Sequence, residues 1–243
     1  MNEDSPIIEA TSDSFLVVKY QDEITAEING KVHSLYTLLN NNLDKGILDL
    51  IPSYNSILIQ YNPFHISFLN LKQLVENHIS NPSKTGSKQT VIDIPVLYGG
   101  KYGQDLDYVA EHNHLTNNQV IEIHSKPNYL VYMLGFTPGF PYLGGMDESI
   151  ATSRLTTPRT SIPAGSVGIA DKQTGIYPSE SPGGWRLIGK TPLTLFDHTQ
   201  NPPSLIMPGN LIRFVPLKSI EEYEKISKLV TTNKYKPYKQ PQN

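Results

Sequence analysis

From Tyr129 to Pro216 proline and glycine cut the chain into short apolar runs: YLVYML, SVGIA, TGIYP, WRLIG, TLF and LIRFVP. Proline removes a backbone donor and glycine costs backbone entropy, so no long helix fits between the cuts. Short strands joined by tight turns can satisfy such a pattern. Many of them in succession predict a closed or nearly closed β-barrel.

The residues before this region read differently. Ser14–Tyr20 (SFLVVKY) has the composition of a strand. Ile24, Ile28, Val32, Leu35 and Leu39 recur at helical spacing, which predicts an amphipathic helix over about Thr25–Asn40. Gly46–Ile51 and Ser56–Tyr61 read as strands around a Pro52-Ser53-Tyr54 turn. Leu71, Leu74, Val75 and Ile79 form a second helical stripe, and Thr90–Leu97 alternates as a strand. This β-α-β-β-α-β order predicts a small sheet with both helices on one face. Residues 81–89, polar and rich in turn formers, predict a linker. The domains expected are therefore a small α+β unit over 1–88, a mainly β barrel over 89–218, and a C-terminal helix and polar tail over 219–243, frayed at Lys234–Lys239. Two short helices follow Tyr98-Gly99-Gly100, the second with a Thr116/Gln119 capping box; a Ser219/Glu222 box opens the last helix.

Composition narrows the function. The chain has 243 residues, a formal net charge of -3 and a pI near 6.2, which gives no electrostatic case for nucleic acid or a membrane surface. It contains no cysteine, which removes thiolate nucleophiles, disulfides and Cys-based zinc sites. Met1–Ala10 lacks an apolar stretch of the signal-peptide kind, and no run approaches ~18 apolar residues. A cytoplasmic address is the default expectation. The histidines form no HExxH pattern, and His112 and His114 are two apart, on different sides of a helix, so no metal site is expected. Neither a Walker A sequence nor a GxGxxG after a strand is present.

Three segments carry possible chemistry. In GFTPGFPYLGG (135–145), Gly139 and its neighbouring glycines permit unusual backbone angles, while Pro138 and Pro141 stiffen the loop. The segment presents Phe136, Phe140 and Tyr142 either as a preformed pocket wall or as a barrel corner with buried aromatics. In TPRTSIPAGSVG (157–168), Arg159 between two prolines is a fixed cation, suited to an anionic ligand or to a structural ion pair. Ser166 has no base announced nearby and reads as a hydrogen-bond donor. In QTGIYP and ESPGGW, Gly183 and Gly184 offer an anion-binding nest of N–H groups, and Trp185, the only tryptophan, either lines a cleft or packs in a core.

The segments IPVLYGGKYGQDL, GFTPGFPYLGGM, TPRTSIPAGSVGIADKQTGIYPSESPGGW and RLIGKTPLTLFD closely resemble the family variously called KipI, allophanate hydrolase subunit 1 or the 5-oxoprolinase B subunit. The resemblance spans about residues 12–217. One departure is Thr152-Ser153-Arg154, where a Thr-Pro-Arg-like run is expected. The resemblance implies an N-terminal α+β domain followed by a cyclophilin-like barrel. It implies a hydrolase subunit inactive alone. Its expected partners are a KipA-type C component and an A component, the three together opening 5-oxoproline to glutamate with ATP. ATP would be used by the assembled complex. In that setting Arg159, with the Gly183 and Gly184 amides, would stabilise developing negative charge. Tyr142 and Tyr177 would orient the substrate. Phe136, Pro138, Gly139, Phe140, Ser166, Gln173, Thr174 and Trp185 would form its binding surface. Two other readings stand beside it: a biotin-dependent carboxyltransferase component, and an inhibitor of a sensor histidine kinase.

Overall fold

The computed structural model describes residues 5–40, 43, 46–80 and 90–241, so the expected linker at 81–89 lies outside the described residues. The chain divides into two compact units, Met1–Ser87 and Lys88–Asn243.

In the first unit, β2 (Phe15–Lys19), β3 (Ile47–Pro52) and β4 (Ser56–Tyr61) join an edge strand, β1 (Ile7–Ser12). Among the described residues they form a four-stranded antiparallel sheet in the order β1-β2-β4-β3. Leu16, Val18, Ile57 and Ile59 are fully buried on one face. Against them pack Ile28, Val32, Leu35 and Leu39 of α1 (Ala26–Asn40) and Leu71 and Val75 of α2 (Phe68–Ser80). Burying each such side chain contributes roughly 1.5–3 kcal/mol, which explains why the helical stripes were legible. The buried Asn29 ties α1 to the β3–β4 turn by donating to the Ser53 and Tyr54 carbonyls at 3.2 and 3.0 Å. Ile24 falls outside α1 and is exposed, because Thr25 caps the helix through the Ile28 N–H.

Two assignments change here. β1 has almost no buried residue, so it lacks the apolar alternation that marks a strand. The strand at Thr90 belongs to the second unit rather than closing the first. Val91, Ile92, Ile94, Val96 and Leu97 bury both of its faces, which only a central position accommodates.

That strand, β5 (Thr90–Tyr98), is joined by β6 (Tyr129–Leu134), β7 (Pro141–Gly144), β9 (Ser166–Ala170), β10 (Gln173–Ile176), β12 (Arg186–Lys190) and β13 (Leu211–Pro216); β8 (Arg159–Ile162) and β11 (Ser181–Gly183) pair apart as a ribbon. The sheet order is β10-β9-β12-β5-β13-β6-β7, and β7 returns beside β10, so the barrel nearly closes. β5 and β13 run parallel, and the Arg213 fork binds Asp93 across them, Nε and Nη2 each 2.9 Å from a carboxylate oxygen. The helices α3 (Leu106–His112) and α4 (Asn117–Ser125) pack on β12 and β13. The Thr116/Gln119 capping box is formed.

His124 on α4 sits in the barrel core. Thr174 Oγ1 donates to the Gly168 carbonyl at 3.1 Å and so receives the His124 Nε2 proton at 2.8 Å. That leaves Nδ1 to accept from the Tyr98 hydroxyl, also at 2.8 Å. Phe214 stacks on the ring at 4.4 Å. Burial lowers the His124 pKa to about 3, so it is a neutral linker between α4, β5 and β10.

Two further expectations are corrected at the C-terminal side. The TLF run makes one isolated bridge, Phe196 to Ser204, not a strand. The tail expected to fray up to Lys239 instead enters a strand there: β14 (Lys239–Pro241) pairs antiparallel with Thr90–Ile92 along the part of β5 that β12 leaves open. Before it, α5 (Ile220–Thr231) carries half of its expected box. Ser219 accepts from the Glu222 N–H, but Glu222 reaches back to the Lys218 N–H.

Candidate functional site

The turn at 135–140 shapes one wall of a cleft. Phe136 (φ 58°) and Gly139 (φ 82°) are both left-handed. A side chain on Gly139 would place its Cβ 2.7 Å from Phe196 Cβ, so only glycine fits. The reversal sends Phe140 inward and leaves Phe136 exposed.

Phe140 is the hub of an aromatic cluster. Its ring meets Phe136, Tyr142, Tyr177 and Trp185 edge-on at centroid distances of 5.3–5.6 Å. Such pairs contribute about 0.5–1.5 kcal/mol each beyond area burial, so the wall is rigid. Gly175 makes the arrangement possible, since a Cβ there would lie 2.9 Å from Trp185 Cζ3.

The open side of this cluster is a cleft of about 560 Å³, lined by these aromatics with Arg154, Leu155, Pro158, Gln173, Pro182, Gly183 and Gly184. Burial raises the Tyr177 pKa; the Trp185 backbone N–H, Arg154 and Arg159 partly offset this. Tyr177 therefore carries its proton at neutral pH and serves as a hydrogen-bond donor rather than a base.

The sequence-predicted residues divide cleanly. Phe136, Phe140, Tyr142, Gln173, Tyr177, Gly183, Gly184 and Trp185 line the cleft. Pro138 and Gly139 line a separate shallow depression formed by residues 134–139, which Phe136 also borders. Ser166 is buried and donates to the Pro163 carbonyl at 2.7 Å, and Thr174 is buried against His124. Neither reaches the cleft. Arg159 does not line it either. Its Nη2 lies 2.9 Å from both carboxylate oxygens of Asp105, and its Nη1 donates to the Trp185 carbonyl at 3.2 Å. Of the two roles its sequence context allowed, the structural ion pair is the one formed. The nest expected at Gly183-Gly184 is absent, because neither residue is left-handed and Gly183 is committed to β11.

The cation at the cleft is Arg154, which sequence reasoning passed over. Its backbone is held on both sides: Thr152 exchanges two hydrogen bonds with Asp171, and the Leu155 N–H donates to the Gly184 carbonyl at 2.7 Å. Only the departure at Thr152-Ser153-Arg154 pointed to it. Among the described residues no group of His, Asp and Glu side chains could hold a metal ion, and no helix is long and apolar enough to cross a membrane.

A nearly closed barrel with this aromatic cleft, in a chain that also contains an α+β unit, is a carboxyltransferase-type architecture, and the chain belongs to the family described as "Carboxyltransferase domain, subdomain C and D", matched over residues 6–206. It is 42% identical over 219 residues to the B subunit of 5-oxoprolinase from Bacillus subtilis (strain 168), covering 86% of this chain and 91% of that protein. The crystal structure of TTHA0988 superposes with a TM-score of 0.76 at 32% identity, over 88% of this chain. This chain spans only 41% of the TTHA0988 chain. The Kluyveromyces lactis urea amidolyase structure matches with a TM-score of 0.77 at 21% identity, a likeness of fold alone, over 16% of that chain.

Proposed function

We propose that this chain is the B-type subunit of an ATP-dependent 5-oxoprolinase, a heteromer that also contains a KipA-type C component and an A component and works in the cytoplasm. The observation that carries this is the match to the Bacillus subtilis protein across nearly the full length of both chains. The cleft agrees with it. An aromatic wall with few polar groups suits a small, flat lactam ring.

The net reaction adds water across the lactam C–N bond, placing hydroxyl on the carbonyl carbon and a proton on nitrogen. This chain contributes binding and water exclusion. Trp185 and Phe140 cover the ring, and the Tyr177 and Tyr142 hydroxyls with the Gln173 carboxamide orient its polar edge. The residues present do not fit a nucleoside triphosphate: the cleft lining holds one cation, no lysine and no left-handed glycine pair. This supports the reading that ATP is bound elsewhere in the assembled complex.

The test is reconstitution from purified components, each omitted in turn, with glutamate formation measured against ATP and 5-oxoproline. Loss of product when this chain is left out supports the reading; unchanged product without it ends the reading. The fold shared with urea amidolyase favours a second reading, a carboxyltransferase component acting with carboxybiotin. A requirement for bicarbonate and a biotinylated carrier would select that reading instead.

A further inference from the structure

The sequence contains four arginines, at 154, 159, 186 and 213. Three are engaged: Arg159 with Asp105, Arg213 with Asp93, and Arg186 with the Ser153 carbonyl and, at 3.8 Å, the Tyr108 ring. Arg154 has no ion-pair partner among the described residues, and no aspartate or glutamate lines the cleft it borders. Arg154 is exposed at the edge of this aromatic cleft, and a cation without an ion-pair partner there favours an anion. The two backbone anchors flanking Arg154 hold its Cα in place, so less freedom is lost when its fork closes on a ligand.

The geometry points to Arg154 as the residue that reads the carboxylate of a small ring amide bound in this cleft, an assignment that rests on the 5-oxoprolinase reading and names its substrate-recognising cation. Arginine matches a carboxylate through two parallel N–H donors. Gln173 lines the same cleft beside the aromatic wall, which takes the flat face of the amide ring. A ligand with the amide alone leaves Arg154 unanswered, and one with the carboxylate alone lacks the flat lactam that the proposed function places against the aromatic wall.

Trp185 is the only tryptophan and lines the cleft, so its emission reports occupancy in the full chain. Three probes are titrated: 5-oxoproline, 2-pyrrolidinone, which lacks the carboxylate, and cyclopentanecarboxylate, which lacks the amide. A saturable change with 5-oxoproline is expected, and each analogue should bind at least about tenfold more weakly. Arg154→Gln should weaken 5-oxoproline by about tenfold or more while leaving 2-pyrrolidinone unchanged, with Arg154→Lys recovering part of the loss. In the reconstituted enzyme the same variant should raise KM and leave kcat near its normal value. Equal 5-oxoproline affinity in Arg154→Gln, or no saturable change in the unaltered chain, overturns the assignment. If the complex fails to open 5-oxoproline while Arg154-dependent binding persists, the cleft's ligand class stands and the reaction alone is reassigned.

Discussion

Arg159 and Asp105 are 54 residues apart in sequence, and in the fold one guanidinium nitrogen lies 2.9 Å from both oxygens of the carboxylate. Asp105 is almost fully buried and also accepts from the Leu187 N–H at 2.6 Å. The pair therefore joins β8, β12 and the start of α3. Removing Arg159 strands a buried carboxylate, and breaking such a pair costs about 3–5 kcal/mol. Arg159→Ala should lower stability by that amount in urea denaturation. A double-mutant cycle with Asp105→Ala should give a coupling of at least about 1.5 kcal/mol. Additive effects would show that the contact is not energetic.

His124 gives the barrel a pH dependence. Its folded pKa of about 3 lies below the ordinary value of 6.5. The unfolded chain thus binds the proton more readily, and the stability owed to neutral His124 is present above pH ~6.5 and lost as pH falls toward 3. Between pH 7.5 and 5 this amounts to about 2 kcal/mol from the linkage relation. Thermal melts at the two pH values should show the drop in the unaltered chain. His124→Gln, which keeps a polar group but does not titrate, should show a much smaller one. Equal drops in both would assign the effect to other groups, His78 among them, whose pKa burial also lowers.

The tail strand should matter more than its polar composition suggests. β14 covers Thr90–Ile92, and the Tyr238 carbonyl accepts from the Asp93 N–H at 3.0 Å. Truncation after Tyr235 uncovers this stretch of β5, a template for pairing with another chain. Faster amide exchange at Asp93 and increased aggregation on concentration are the expected results. Unchanged exchange at Asp93 would mean the pairing does not persist in solution.

What could be read in the sequence follows the range of the forces involved. The α1 and α2 stripes, the capping box at Thr116 and the runs SVGIA, WRLIG and LIRFVP are local patterns of burial or capping, and each appears in the fold close to its expected position. β1 escaped because an exposed edge strand has no buried face to imprint an alternation. The aromatic wall was legible because glycine, proline and aromatic residues lie together in 135–145. The roles of the two arginines were not. Arg154 and Arg159 are five residues apart, and Arg159 has the prolines on either side, but what decides between them is Asp105, a partner that no local spacing reveals. His124 was hidden for the same reason, since its partners come from β5 and β10.

The cleft wall also predicts a contrast between two glycines that line or support it. At Gly175 a methyl group would lie 2.9 Å from Trp185 Cζ3 and 3.3 Å from Phe140 Cζ. Phe140 is packed against Phe136, Tyr142 and Tyr177, so relief comes by moving Trp185 into the open cleft. Gly175→Ala should therefore cost about 1–3 kcal/mol through overpacking and also shift Trp185 emission. At Gly184 the nearest atom to an added Cβ is the Leu155 carbonyl oxygen at 3.5 Å, an ordinary contact, and the backbone is not left-handed. Gly184→Ala should be neutral or stabilising by up to about 1 kcal/mol, because the unfolded chain loses freedom. Urea denaturation and tryptophan emission of the two variants, measured side by side, check both statements. If Gly175→Ala left stability and emission unchanged, the close approach of β10 to Trp185 would not be what fixes the wall, and the rigidity argued for the cleft would fall with it.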